Sequence, residues 1–362
     1  MEKYCWDKEK IIASNLDEQA KKIILGELDN KPISSDPNVI NNSCTLNEYK
    51  KAYFKLKKDL LKMYPELYKQ SLELYKYFKP DNFIPYNLIV EDDFLSPENI
   101  ISVTNDFFKS INDPEILKVM NIILNPQNNI INFKQKNDNV ISSAVHGRAI
   151  KIPHENKGYI SMYLESTIED ATVFAHECGH LLTHMLYCDN INPEMKIFSE
   201  VESYYFELLM MDFIKKELDN PSAEITDLLM SNRLLKTIYY IWDIKIQDII
   251  CHTLGNKILI DKLNKKIHKC KTNIEYTREE IGVTLANPIS IIFPLVNSYL
   301  IALELYNKTK EDKEKGLYIY KSIMQETKMN LLELLKKYDM DYYNNYKSLS
   351  ELYIKSLELK MK

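Results

Sequence analysis

The chain has 362 residues, 45% of them apolar and 27% charged, a balance that excludes global disorder and collagen-like repeats. With only 7 glycines and no GxGxxG or GxxxxGKS/T spacing, it also lacks a glycine-rich phosphate cradle. Its 47 basic and 52 acidic side chains leave a net charge of −5, which gives no electrostatic footprint for a nucleic-acid partner.

The N-terminus, MEKYCWDKEK, lacks the apolar core of a signal peptide, and no segment is long and apolar enough to span a bilayer. The six cysteines are scattered without a CxxC and read as reduced thiols, so a cytoplasmic protein with no membrane partner is expected. Residues 9–29 have helical periodicity, then KPISSDPN breaks it. Residues 46–78 form an amphipathic pattern interrupted at Pro65, with a lysine-rich run at 50–58 that reads as a solvated helix face. SPENI at 96–100 and INDPEIL at 111–117 have the Ser/Asp–Pro–Glu signature of helix starts. The Asn/Gln-rich residues 125–139 read as a loop, and a domain boundary is placed there. Residues 1–139 then form an N-terminal helical region and 140–362 a second domain.

Residues 140–165 change character. VISSAVHGRAIKIP and GYISMYL are short, β-branched and alternating, and predict two or three strands joined around 153–157. Helices are expected again at 167–188, 194–219, 222–265, 273–308, 312–337 and 345–361. The run at 289–302 reads as a buried helix. The expected fold class is mainly α with a small β-sheet.

Residues 172–182 read TVFAHECGHLL. HExxH on a helix puts His176 and His180 one turn apart on one face, where two imidazoles can hold one Zn2+. Glu177 then lies beside the metal as general base for a bound water. Zinc needs a third protein ligand, and the metzincin extension HExxHxxGxxH is absent. The next helix offers Glu200, Glu202 and Glu207 in FSEVESYYFE. Glu200 and Glu207 share a helix face, whereas Glu202 points away by about 200° at about 100° per residue. Glu200 is therefore chosen as the ligand, with Glu207 behind it.

HECGH followed by Glu200-Val201-x-Ser203-x-x-x-Glu207 resembles the thimet oligopeptidase / oligoendopeptidase F family of zinc peptidases. That family shows HExGH and then a ligand Glu in a Glu-Val/Ala-x-Ser-x-x-x-Glu stretch. GYISMYLESTIEDATVFAHECGH also resembles the family's substrate strand, acidic turn and zinc helix. The match is good over 150–210, loose over 280–340, and only helical over the first 135 residues.

The resemblance implies a zincin-like helical peptidase with a deep cleft, and one Zn2+ per chain held by His176, His180 and Glu200. Ser203 and Glu207 support the ligands. A peptide substrate adds to an edge strand placed at 159–164, with Gly158, Tyr159, Ile160, Ser161, Met162 and Tyr163 as the residues that bind it. Glu177 serves as base and later as proton donor to the leaving amine. The family's oxyanion donors, a His and several Tyr on a late helix, are replaced here by apolar residues over 286–305. Tyr299, Tyr276, His252 and Arg278 are the substitute candidates. The alternatives are a protease dedicated to one small peptide, such as the leader of a modified peptide product, a zinc-retaining peptide-binding protein with little turnover, and a hydrolase of non-peptide amides.

Smaller readings complete the picture. His184 is expected to hydrogen-bond in the core, Cys178 to point away from the metal into packing, and Trp6 and Trp242 to anchor the core. His146, Gly147, Arg148 and His154 flank the strands, with turn and substrate roles both open.

Overall fold

The computed structural model describes residues 4–28, 46–65, 96–135, 146–217, scattered positions between 226 and 240, and 289–340. It separates into two compact units drawn from alternating stretches of chain. The first comprises Met1–Ile33, Ile89–Met230 and Ile301–Met340; the second comprises Ser34–Leu88, Ser231–Leu300 and Asp341–Lys362.

The first unit opens with α1 (Lys8–Ala13) and α2 (Glu18–Leu28). The single helix expected over 9–29 is thus two. The Ser14 hydroxyl bonds back to the Ile11 carbonyl, and Asp17 starts afresh by accepting from the Ala20 amide at 2.7 Å. Such local side-chain bonds compete with helix continuation. The predicted start at 96 is present: the Ser96 hydroxyl accepts from the Asn99 amide, Pro97 opens α4 (Pro97–Ile111), and Asn112 ends it with φ 59°. Asp113 caps α5 (Pro114–Ile123) in the same way. Between α2 and α4 in sequence, α3 (Leu46–Met63) belongs to the second unit; it stops just before Pro65, and its Lys51, Lys55 and Lys58 are exposed as expected.

The stretch expected as a loop, 125–139, contains a strand. β1 (Ile131–Gln135) pairs in parallel with β3 (Gly158–Leu164), which pairs antiparallel with β2 (Gly147–Lys151). The polar residues hide the signal, because Asn132 is itself buried and accepts from the Trp6 amide. The sheet order is β1-β3-β2, so β3 is the centre of the sheet. One face of the sheet packs with Trp6, α1 and α2 through Ile150, Ile152 and Tyr159. As expected, Trp6 anchors this layer; its ring nitrogen donates to the Ile130 carbonyl, and its ring meets Tyr159 edge-on at 5.7 Å. On the other face Phe133 meets Phe174 of α6 (Ile168–Tyr187) at 5.2 Å.

Asp170 fixes the start of α6. Its carboxylate accepts from the amides of Thr167 and Glu165, and from His146 at 2.7 Å. The helix expected over 194–219 begins late. Pro193 opens a 3-10 turn (Pro193–Lys196), and α7 (Val201–Glu217) starts only after Glu200. Gly179 of α6 lies where α7 begins: a β-carbon there would come within 3.0 Å of the Glu202 carbonyl and 3.1 Å of the Ser203 Cα. Farther along, Tyr205 of α7 stacks on Tyr320 of α9 (Lys313–Gln325) and Phe206 meets it edge-on; the Tyr320 hydroxyl bonds Thr183 of α6 at 2.6 Å.

The helix α8 (Ile289–Glu311) contributes residues to both units. Within the second unit its Phe293 is fully buried and meets Tyr64 at 6.3 Å. The one helix expected over 312–337 is divided into α9 and α10 (Leu331–Lys337) because Asn330 and Glu333 form a new capping box. The chain is mainly helical with one small sheet, as expected. Among the described residues no helix is long and apolar enough to cross a membrane.

Candidate metal centre

His176 and His180 follow each other by one turn of α6, and their rings meet edge-on at 5.0 Å. Glu200 reaches them from the turn before α7. Its backbone carbonyl accepts from the Tyr204 amide, so it serves as the N-terminal cap residue of that helix. Its Oε2 lies 3.2 Å from Nε2 of His176 and 3.4 Å from Nε2 of His180. The ligand atoms of these three residues lie within 4.8 Å of one another, a group able to hold a metal ion. Ser203, one turn into α7, donates its hydroxyl to the same Glu200 oxygen at 3.1 Å.

Each histidine is also held from behind. Nδ1 of His176 bonds Glu207 at 2.8 Å, and Nδ1 of His180 bonds Glu202 at 3.3 Å. A carboxylate on Nδ1 favours the tautomer with its proton there, which frees Nε2 as a metal donor. The Tyr204 ring meets His176 edge-on at 5.3 Å and limits its rotation.

The electrostatics favour positive charge at the centre. Burial opposes protonation of His176, but its hydrogen bonds to Glu200 and Glu207 outweigh this and push its pKa up to about 10. His180 also rises despite burial, chiefly through the charge of Glu200. Burial pushes the Glu200 carboxyl upward, yet the charge of His180 and its bonds to both rings hold it well below the usual carboxylate range. Two imidazole nitrogens and one carboxylate, with their rear atoms already bonded, form a donor set that suits Zn2+ with one position open for water. A cation held there would take the place of the ring protons.

Glu177 is 6% exposed and lies against β2. A β-carbon on Gly147 would come within 2.8 Å of its Cγ and 3.1 Å of its Oε1. The backbone of β2 has a second property. The His146 carbonyl accepts from the Tyr163 amide, and the Ile152 amide donates to the Lys157 carbonyl. In an antiparallel pair the ladder bonds alternate, so 148 and 150 also bond inward to β3. The amides and carbonyls of Gly147, Ala149 and Lys151 therefore point away from β3, and among the described residues no strand pairs with them.

This overturns one expectation. Gly158, Tyr159, Ile160, Ser161, Met162 and Tyr163 do not form an edge strand: β3 is paired on both sides and has no free edge for a peptide. Ile160, Ser161 and Met162 are buried, and Tyr159 packs with Trp6. Gly158 admits protein, since a β-carbon there would come within 2.5 Å of the Ile150 carbonyl and of Leu181. Alternation alone did not distinguish centre from edge, because the parallel partner β1 was hidden.

Glu202 and Lys151 are the residues that sequence reasoning misses. The helical wheel turns Glu202 away, but Glu200 precedes the helix and the wheel does not fix its direction. Glu202 is wholly buried behind His180. The available signal is three acids at 200, 202 and 207 on a segment otherwise rich in apolar residues. His184 bonds the Ile152 carbonyl at 3.0 Å, and Cys178 is fully buried, both as expected. His146 caps through Asp170, and His154 occupies the turn with φ 61°. Tyr276, His252, Arg278 and Trp242 lie outside the described residues. Tyr299 is 3% exposed in the second unit. A cavity of about 400 Å³ lined by Phe107, Asp212, Phe213, Lys216 and Lys310, among others, contains none of the cluster; chemistry rather than volume marks the site.

No protein-family model matches the chain, and no curated protein sequence matches it significantly. Its fold is that of oligoendopeptidase-like peptidases. A Bacillus anthracis str. Ames protein provisionally assigned as an oligoendopeptidase F is similar over 89% of this chain and 57% of its own, at 14% identity and TM-score 0.51. A provisionally assigned peptidase from Chlamydophila abortus is similar over 94% and 61%, at 14% identity and TM-score 0.52. PZ peptidase A, solved with an inhibitor, is similar over 86% and 58%, at 12% identity and TM-score 0.54. The chain thus spans about three fifths of the length of these solved structures.

Proposed function

We propose that this chain is a zinc-dependent metalloendopeptidase that hydrolyses short or unfolded peptides. One observation supports this above the others. Nε2 of His176, Nε2 of His180 and the Glu200 carboxylate converge on one point, and both rings are held from behind by carboxylates. The fold shared with peptidases supports the same substrate class.

Zinc held by His176, His180 and Glu200 supplies Lewis acidity toward water and the scissile carbonyl. Glu177 takes the proton of the attacking water through its carboxylate and returns it to the leaving amine. The outer edge of β2 receives the peptide as an added strand. Amides and carbonyls of Gly147, Ala149 and Lys151 supply the backbone bonds, which recognise an extended chain independently of its sequence.

The test is digestion of a complex peptide library by the zinc-loaded protein, read by mass spectrometry beside Glu177→Gln. Many cuts by the wild type and none by the variant are expected. No cuts by a wild type that holds one equivalent of zinc would overturn the general-peptidase reading.

A further inference from the structure

Glu202 is buried completely and its carboxylate faces two nitrogens. Oε1 lies 3.3 Å from Nδ1 of His180 and 3.4 Å from Nζ of Lys151. Oε2 is buried with no hydrogen-bond partner. A carboxylate at such depth is costly unless cations and donors compensate it. Here both compensating groups bind one oxygen, and both belong to elements of the site. His180 comes from α6, and Lys151 from β2, the strand that also brings Gly147 against Glu177.

We infer that Glu202 is a positioning residue for His180, and that Lys151 acts on the metal site only through Glu202. This rests on the metal-centre reading above. It gives each histidine its own carboxylate, Glu207 for His176 and Glu202 for His180, and it couples the second of these to the strand proposed to receive substrate. A resemblance-based reading assigns only the first, since position 202 is an unspecified one in the motif. The Nδ1–carboxylate bond fixes the ring plane and the tautomer of His180, which directs Nε2 toward Glu200 at 3.4 Å. Lys151 fixes where the Glu202 oxygen stands. Its stem leaves a strand registered residue by residue on β3, from Gly147 opposite Met162 to Lys151 opposite Gly158.

The test is zinc affinity by competition with a chelator, with the visible spectrum of the Co2+-substituted protein as a second readout. The set is wild type, Glu202→Ala, Glu202→Gln, Lys151→Met and the Lys151→Met/Glu202→Ala double variant. Glu202→Ala is expected to weaken zinc about 10- to 100-fold, as loss of a carboxylate behind a metal histidine typically does. Glu202→Gln retains an acceptor oxygen and is expected to lose less. Lys151→Met is expected to change the affinity in the wild-type background and to change nothing further once Glu202 is alanine, a non-additivity that mere packing would not produce. The Co2+ spectrum is expected to keep the form of a three-ligand site, since no ligand is removed. Zinc affinity of folded Glu202→Ala and Glu202→Gln within twofold of wild type would overturn the inference, and so would an additive cycle. If Glu202→Ala fails to fold, Glu202→Gln and Lys151→Met with their own double variant give the same decision. Failure of the wild type itself to bind zinc would instead sink the metal centre, and this inference with it.

Discussion

Gly147 and Glu177 approach each other so closely that no other residue fits at 147 without moving the acid. A β-carbon would stand 2.8 Å from the Glu177 Cγ, well inside contact distance. Val173 closes the other side at 3.1 Å, so the alanine methyl has no direction of escape. Gly147→Ala is therefore expected to swing Glu177 from its place. A displacement of about 1 Å at a reacting group costs on the order of 100-fold in rate. The measurement is kcat on a cleaved peptide together with zinc content. A lower kcat with zinc stoichiometry unchanged is the expected pattern; a kcat equal to wild type would show that Glu177 tolerates the shift.

Removing the base and removing a ligand separate two functions. Glu177→Gln is expected to keep one zinc and lose about 100- to 10,000-fold in kcat, the usual contribution of a positioned acid–base group. Glu200→Ala is expected to lose zinc itself, because it removes the one carboxylate of the His176, His180 and Glu200 group. Metal analysis of both purified proteins, beside peptide turnover, distinguishes the cases.

Metal binding at this centre is also expected to stabilise the fold. With free zinc a thousandfold above its Kd, about 4 kcal/mol of stability is expected from mass action. A chelator should lower the thermal midpoint of the wild type, and His176→Ala should be insensitive to the same treatment. A wild-type midpoint unmoved by chelation would contradict this expectation.

Gly179 tests how the two helices are joined. A β-carbon there would come within 3.0 Å of the Glu202 carbonyl, a backbone atom that yields only if α7 moves. Gly179→Ala is expected to cost about 1–3 kcal/mol of stability, the range for overpacking. It should also weaken zinc, since Glu200 is carried by the start of α7. Chemical denaturation and chelator competition measure the two effects.

The pair His146–Asp170 gives a pH dependence away from the metal. Burial opposes protonation of His146, but its 2.7 Å bond to Asp170 outweighs this and raises its pKa above the ordinary histidine value. The folded state therefore binds this proton more tightly than the unfolded state. The stabilisation is fully present below the unfolded pKa, near 6.5, and is lost as pH rises through the folded value. The urea midpoint should fall over that window in the wild type, and His146→Gln should remove that portion of the slope.

The cluster able to hold a metal ion was legible because two of its residues lie on a regular helix. His176 and His180 obey the helical period, and HExxH states that period directly. Helix starts at Ser96 and Asp113 were legible for the same local reason. What failed was non-local. β1 has buried asparagine and polar neighbours, so its place beside β3 follows from pairing rather than from pattern. That missing partner is also why Gly158 to Tyr163 were assigned to an edge. Glu202 was lost because the wheel was drawn through Glu200, a residue standing before the helix. The end of α1 at Ser14 and the start of α10 at Asn330 depend on single side-chain bonds within otherwise periodic stretches.

His180, about two turns before the end of α6, and Glu200, at the start of α7, enclose the connection between the two helices. That connection includes the Cys188–Asn190 and Pro193–Lys196 turns and the unusual backbone of Cys188, at φ 42°. A cation held by both residues would close the chain between them into a loop, a reversible crosslink in place of a covalent one. Without the ion, the connection is held by hydrogen bonds and packing alone, and amide hydrogen exchange will quicken there before it does in the buried strands. Metal supply would then govern how long this corner of the molecule survives a protease.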